Sequence, residues 1–134
     1  MQSIFESEFT LQENYGSHHG DQYAKYIDLV TFVRAQQLKE CYNLPVEEFE
    51  ERGYTLIIST AHINFIRDPE KGEALNIKTQ IDNFSGGTCN VNFWIYKKRN
   101  GKLVADGYLT YTLKSSTTNF PDQFPDDFIE RLSI

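Results

Sequence analysis

Asn14-Tyr15-Gly16-Ser17-His18-His19-Gly20-Asp21 runs directly into Gln22–Cys41, QYAKYIDLVTFVRAQQLKEC. A polar loop with two glycines thus feeds about five turns of helix. Tyr23, Ile27, Val30, Val33 and Leu38 recur at helical spacing, with Tyr26 and Cys41 flanking the same face. The first amides of such a helix lack intrahelical acceptors, and its positive dipole end points back at His19 and Gly20. That end can hold an anion or polarise a carbonyl. One acidic side chain, Asp28, sits two turns in.

Outward from this helix the pattern changes. Upstream, Ile4–Gln12 alternates, with Phe5, Ser7, Phe9 and Leu11 on one side, and reads as a strand. Downstream, Asn43-Leu44-Pro45 stops the helix, and Val46–Arg52 is an acidic turn or short helix ended by Gly53. From Tyr54 the period becomes two. Tyr54–Asp68 reads as one long strand in which Thr55, Ile57, Ser59, Ala61, Ile63 and Phe65 face opposite to Leu56, Ile58, Thr60, His62, Asn64 and Ile66. Pro69-Glu70-Lys71-Gly72 is a turn into Ala74–Phe84, where Leu75, Ile77, Thr79 and Ile81 share a face. Ser85-Gly86-Gly87 connects to Thr88–Lys98, and Asn100-Gly101 turns that strand into Leu103–Lys114. Gly107 marks a bulge or a close backbone approach. Asp126–Leu132 closes as a helical turn. One strand, one long helix and four strands on short turns predict a two-layer α+β fold, its sheet of about five antiparallel strands wrapped on the helix.

Composition narrows the function. A chain of 134 residues predicts a single domain spanning residues 1–134. Thirteen Lys and Arg against 19 Asp and Glu leave a net charge of −6, too acidic for a general nucleic-acid binder. Cys41 and Cys89 form no disulfide framework and read as reduced thiols in core positions of a cytoplasmic protein. Neither a signal peptide nor a membrane span is legible. The three histidines, His18, His19 and His62, lack helix-spaced partners, so no metal site is expected.

The order and lengths of these elements resemble the hotdog fold, whose domains pair into dimers with their sheets joined edge to edge. The resemblance extends to motifs. Hotdog acyl-CoA thioesterases of the phenylacetate-pathway and 4-hydroxybenzoyl-CoA types carry a loop ending His-Gly-Gly, with an acid eight residues after the first glycine. Here His19-Gly20-Asp21 ends the loop and Asp28 is that acid. Ile63-Asn64-Phe65-Ile66-Arg67-Asp68-Pro69 and Gly101-Lys102-Leu103-Val104-Ala105 are similar to the family's later strands. Two departures stand out. Asp21 occupies the second glycine's place. A sister branch carries its acid within the loop, followed by Tyr and then Arg eight residues on; Tyr26 and Arg34 keep that spacing, but no Asp fills the loop slot.

The resemblance implies hydrolysis of an acyl-CoA or acyl-carrier thioester in a homodimer, with a dimer of dimers left open. It needs no cofactor beyond the coenzyme A carried by the substrate. Asp28 attacks the carbonyl or activates water, the Gly20 amide (with Asp21 beside it) holds the oxyanion, and His19, Asn14 and Thr31 are orienting donors. Eight residues of helix rise about 12 Å, so Asp28 meets that amide only if Gly20 folds back in the loop or belongs to the partner subunit. Asp21, Tyr23, Arg67 and the cluster Lys97-Lys98-Arg99 are candidate substrate contacts, the cations for phosphates. Each has a plainer reading: Asp28 as a solvated helix acid, the lysines as a solvated turn. The alternatives are an acyl-CoA-binding hotdog protein without catalysis, and a hotdog dehydratase or hydratase, whose His-centred signatures are absent.

Overall fold

The structure is a computed structural model that describes residues 4–11, 19–70 and 72–133, with backbone only for residues 19–23. Strand β1 (Ile4–Thr10) leads to helix α1 (His19–Tyr42) and short helix α2 (Val46–Glu51). Strands β2 (Tyr54–Phe65), β3 (Ala74–Ser85), β4 (Thr88–Lys97) and β5 (Leu103–Ser115) follow, and α3 (Asp126–Leu132) ends the described chain. The strands form one antiparallel sheet in the order β1-β3-β4-β5-β2. The strand–helix–four-strand arrangement is the one the hotdog resemblance implies.

Alternation in β3 and β4 puts Leu75, Ile77, Thr79, Ile81, Cys89, Val91, Phe93 and Ile95 on one buried face. Helix α1 covers that face with Tyr26, Leu29, Val30, Val33, Arg34, Gln37, Leu38 and Tyr42. Two polar residues therefore lie in the helix's inner stripe. Gln37 belongs there because the Thr79 hydroxyl donates to its amide oxygen at 2.7 Å. Cys41 continues that stripe four residues beyond Gln37 but is exposed, which corrects its expected core position. Cys89 is buried, and burial pushes its thiol pKa up to about 12. A thiol reagent at pH 8 is therefore expected to titrate Cys41 and to reach Cys89 only after denaturant is added; prompt reaction of both would contradict this packing.

Strand β2 departs from strict alternation. Its pairing with β5 shifts between Ile58 and Thr60, leaving Ser59 as an extra residue whose hydroxyl donates to the Thr110 carbonyl at 3.2 Å. A bulge inverts the phase of the side chains beyond it. Leu56 thus packs on the same core face as Ala61 and Ile63, which alternation alone puts on opposite faces. The strand also stops at Phe65 rather than Asp68: the amides of Ile66 and Arg67 both turn back to the Val104 carbonyl, at 2.9 and 3.2 Å. At Gly107 the close approach is real. Its φ is +155°, and a Cβ there would land on the His62 carbonyl oxygen.

Helices α2 and α3 lock together beside the open end of β2. Arg52 bridges Asp127 at 2.6 and 3.0 Å, and Arg131 bridges Glu48 at 2.8 Å. Both guanidinium groups lie over the Phe128 ring, which meets Phe49 edge-on at 4.9 Å.

Candidate active site

The helix starts at His19, three residues before Gln22, so Gly20 and Asp21 lie in its first turn, where amides have no intrahelical acceptor. Gly20 and Asp28 thereby belong to one continuous helix. Their separation along the axis is about 12 Å, so the loop that folds Gly20 back beside Asp28 is excluded within one chain. Asn14 lies outside the described residues, as do the side chains of His19, Asp21 and Tyr23.

Asp28 is exposed on the helix's outward face, and makes no hydrogen bond or ion pair with the described residues. One turn on, Phe32 is 56% exposed. A carboxylate beside an uncovered phenylalanine is a combination the single chain leaves to solvent. Thr31 turns inward: its hydroxyl is 2.8 Å from the Tyr111 hydroxyl, and either can donate. Burial and the nearby Asp68 push the Tyr26 phenol up to about 12, so it stays a neutral donor at physiological pH. Its ring stacks on Phe65 at 5.7 Å, bringing the end of β2 against the second turn of α1.

That contact gathers residues the sequence does not place beside the helix. Phe65 and Ile66 are 48% and 45% exposed, and Arg67 follows them, exposed and with no ion pair among the described residues. The signal in the sequence is the apolar run through Ile66 ending in Arg67-Asp68-Pro69; which helix turn it meets is set by the sheet. The other cationic candidates are engaged. Lys97 is buried with its ammonium 3.6 Å from Glu73, Lys98 meets Glu8 at 2.8 Å, and Arg99 meets Glu73 at 3.1 Å and Glu70 at 3.4 Å. The open space of about 490 Å³ at this hairpin is lined by Glu70 and Glu73 as well as by Lys98 and Arg99. A phosphate there competes with carboxylates already in place.

The two sheet edges differ. β1 is seven residues long and carries Glu6 and Glu8. β2 is twelve residues long with no Asp, Glu, Lys or Arg, and Ile58, on its core-facing side, stays 36% exposed. A long apolar edge with open backbone groups is a surface for pairing with another strand. Among the described residues no His, Cys, Asp or Glu cluster could hold a metal ion, and no helix is long and apolar enough to cross a membrane.

A family model described as the thioesterase-like superfamily matches residues 12–132. Among solved structures, the chain is similar to a 1,4-dihydroxy-2-naphthoyl-CoA thioesterase from Synechocystis, with a TM-score of 0.81 at 13% identity over 98% of this chain and 96% of that one. A DHNA-CoA thioesterase from Staphylococcus aureus gives 0.82 at 17% identity, covering 97% and 89%. A Staphylococcus aureus protein crystallised in complex with CoA gives 0.82 at 18%, covering 99% and 84%. At such identities the likeness is one of fold. No curated protein sequence matches the chain.

Proposed function

The chain belongs to the thioesterase-like superfamily, and from that premise we propose that it hydrolyses an acyl thioester, of coenzyme A or of an acyl carrier, at a site shared by two subunits. The observation that carries this reading is the run of one helix from a first turn with free amides, through Gly20, to an outward-facing Asp28. Oxyanion donor and carboxylate are both presented, but too far apart to act together in one chain. Pairing two chains through their β2 edges supplies the second helix. The thioester carbonyl then accepts a hydrogen bond from one subunit's Gly20 amide, while the other subunit's Asp28 attacks the carbonyl carbon or takes a proton from water. Phe32, Phe65 and Ile66 are among the exposed apolar groups and would be offered to an acyl chain.

Release of free thiol from a panel of acyl-CoAs tests the activity. Turnover supports it. Tight acyl-CoA binding with no turnover favours the non-catalytic reading that Asp21, in the second glycine's place, suggests; neither binding nor turnover ends both. The assembly is tested separately. Ile58→Glu places a charge on the uncovered apolar edge and is expected to weaken dimerisation roughly tenfold or more, with activity lost in proportion to the monomer fraction seen by sedimentation. A wild-type protein that sediments as a fully active monomer would refute the shared site.

For the phosphate end of the substrate, Arg67 is exposed with no ion pair among the described residues, whereas Lys98 is engaged by Glu8. Arg67→Ala is expected to raise KM for an acyl-CoA about fivefold with kcat little changed, the loss of one exposed charge-assisted contact. Lys98→Ala should leave KM where it is. The reverse ranking would move the phosphate site to the hairpin.

A further inference from the structure

Alternation that buries Phe93 and Ile95 under α1 turns Trp94 to the opposite face of the sheet, where it stays half-buried. It is the only tryptophan in the chain. The strand registers set five residues in one row across that face: Glu6, Lys78, Trp94, Asp106 and Asn64. The neighbouring row, Gln80, Asn92, Tyr108 and His62, holds only amide and aromatic groups. Tyr108 is 39% exposed, and its ring stacks on His62 at 5.4 Å. Aromatic groups standing where a solvated face would carry Lys and Glu are the composition of a protein contact surface. Two charges near the middle of the face lack an ionic partner. The Lys78 ammonium lies 5.2 Å from the centre of the Tyr96 ring and makes no ion pair among the described residues, although Glu6 is its neighbour on β1. Asp106 accepts from the Asn64 amide at 3.0 Å and likewise makes no ion pair among the described residues.

Lys78 and Asp106 stand on β3 and β5, the strands that flank β4, so opposite charges sit on either side of Trp94. That pattern is self-complementary. A two-fold axis running along β4, between two such faces, lays the β3 side of one copy on the β5 side of the other. Lys78 then meets the second copy's Asp106, Asp106 meets its Lys78, and the two Trp94 rings meet near the axis. Glu6 falls opposite an Asn64 amide that can donate to it, and Gln80 falls opposite Tyr108. An axis running across the strands through Trp94 would instead set Lys78 against Lys78 and Asp106 against Asp106, which like charges disfavour. We propose that this face docks a second copy of the chain, sheet on sheet, about the axis along β4. The two rows and the one through Tyr96 span about 24 Å by 20 Å, roughly 500 Å² from each copy, which reaches the ~1,000 Å² in total that a specific interface needs. A polysaccharide also packs on aromatic and amide groups, but it has no use for opposite charges placed symmetrically about Trp94. The contact is separate from the β2 edge and stands whether or not those edges pair or a thioester is cleaved.

Sedimentation and tryptophan emission of the whole protein, read across a concentration series, test this. As copies associate, Trp94 emission is expected to move to shorter wavelength and its quenching by acrylamide to fall. Lys78→Glu sets an acid against the second copy's Asp106 and should weaken the contact about tenfold or more. The sedimenting mass then halves, from tetramer to dimer where the β2 edges also pair and from dimer to monomer where they do not, leaving edge pairing to be read alone in that chain. Asp106→Lys should act in the same direction by setting lysine on lysine. Joined in one chain, the two substitutions exchange the charges and should restore both the association and the shielding of Trp94, a recovery that damage to the fold does not give. A wild-type protein whose Trp94 is equally open to acrylamide at every concentration overturns the proposal. So does a Lys78→Glu chain that sediments like wild type, or a double variant that associates no better than its parents.

Discussion

Asp28→Asn is expected to lower kcat for the best acyl-CoA substrate by about 10²–10⁴-fold, the usual range for loss of a carboxylate that abstracts a proton or starts an attack. KM should change little, because the side chain keeps its size and hydrogen-bonding reach while losing its charge. The fold should not notice. Asp28 is exposed and bonded to none of the described residues, so stability should stay within about 0.5 kcal/mol of wild type. This separation makes the experiment decisive: the same substitution at a buried, bonded acid confounds lost chemistry with lost structure. Mixed dimers sharpen it further. If Gly20 and Asp28 act across the subunit contact, a heterodimer of Asp28→Asn with a chain blocked at its own Gly20 turn retains one intact site; if they act within one subunit, it retains none. Equal turnover by Asp28→Asn and wild type would sink the assignment of the chemistry, whatever the fold.

Gly107→Ala is the largest effect expected on stability. A Cβ at this position meets the backbone carbonyl of His62 on the neighbouring strand, and the local φ of +155° strains any L residue. Backbone cannot rotate away as a side chain can, so β2 and β5 must separate or the strand must rebuild. Overpacking together with the strained dihedral costs on the order of 3 kcal/mol. That lowers the thermal midpoint by roughly 10 °C in a chain of this length. Because β2 is an edge strand and the proposed dimer pairs through it, its displacement should weaken that dimer and its activity along with stability. A variant with wild-type melting behaviour would show that the two strands do not approach this closely.

The order of elements was legible because each rests on local periodicity: 3.6 from Tyr23 to Leu38, two through β3 and β4. Gly107 was legible as a bulge or close approach because a glycine inside a β pattern has few other uses. The hairpin cations were legible only as a cluster. Glu8, Glu70 and Glu73 come from a strand and a turn far away in the chain, and they convert a positive patch into ion pairs. Arg34 was legible as a matching motif position and not as a buried charge, because a polar residue on a helix is assigned to solvent by default. For the candidate site, the pair Gly20 and Asp28 came from the motif; the exposed cluster at Phe65, Ile66 and Arg67 came from the Tyr26 stacking contact.

By itself, then, the sequence determined which segments are helix and strand and the two-layer class, since these follow from short-range spacing; the acid and amide of the proposed chemistry were read from the resemblance of His19-Gly20-Asp21 and Asp28 to a family motif. The tertiary structure decided three things that spacing cannot carry. It ran α1 back to His19 without a break, which separates Gly20 from Asp28 within one chain. It inserted Ser59 as a bulge, which brings Leu56, Ala61 and Ile63 onto one face of the edge strand. It closed Arg34 in between helix and sheet, beside a cavity. Each is fixed by pairing between strands or packing between layers, and those energies depend on partners distant along the chain.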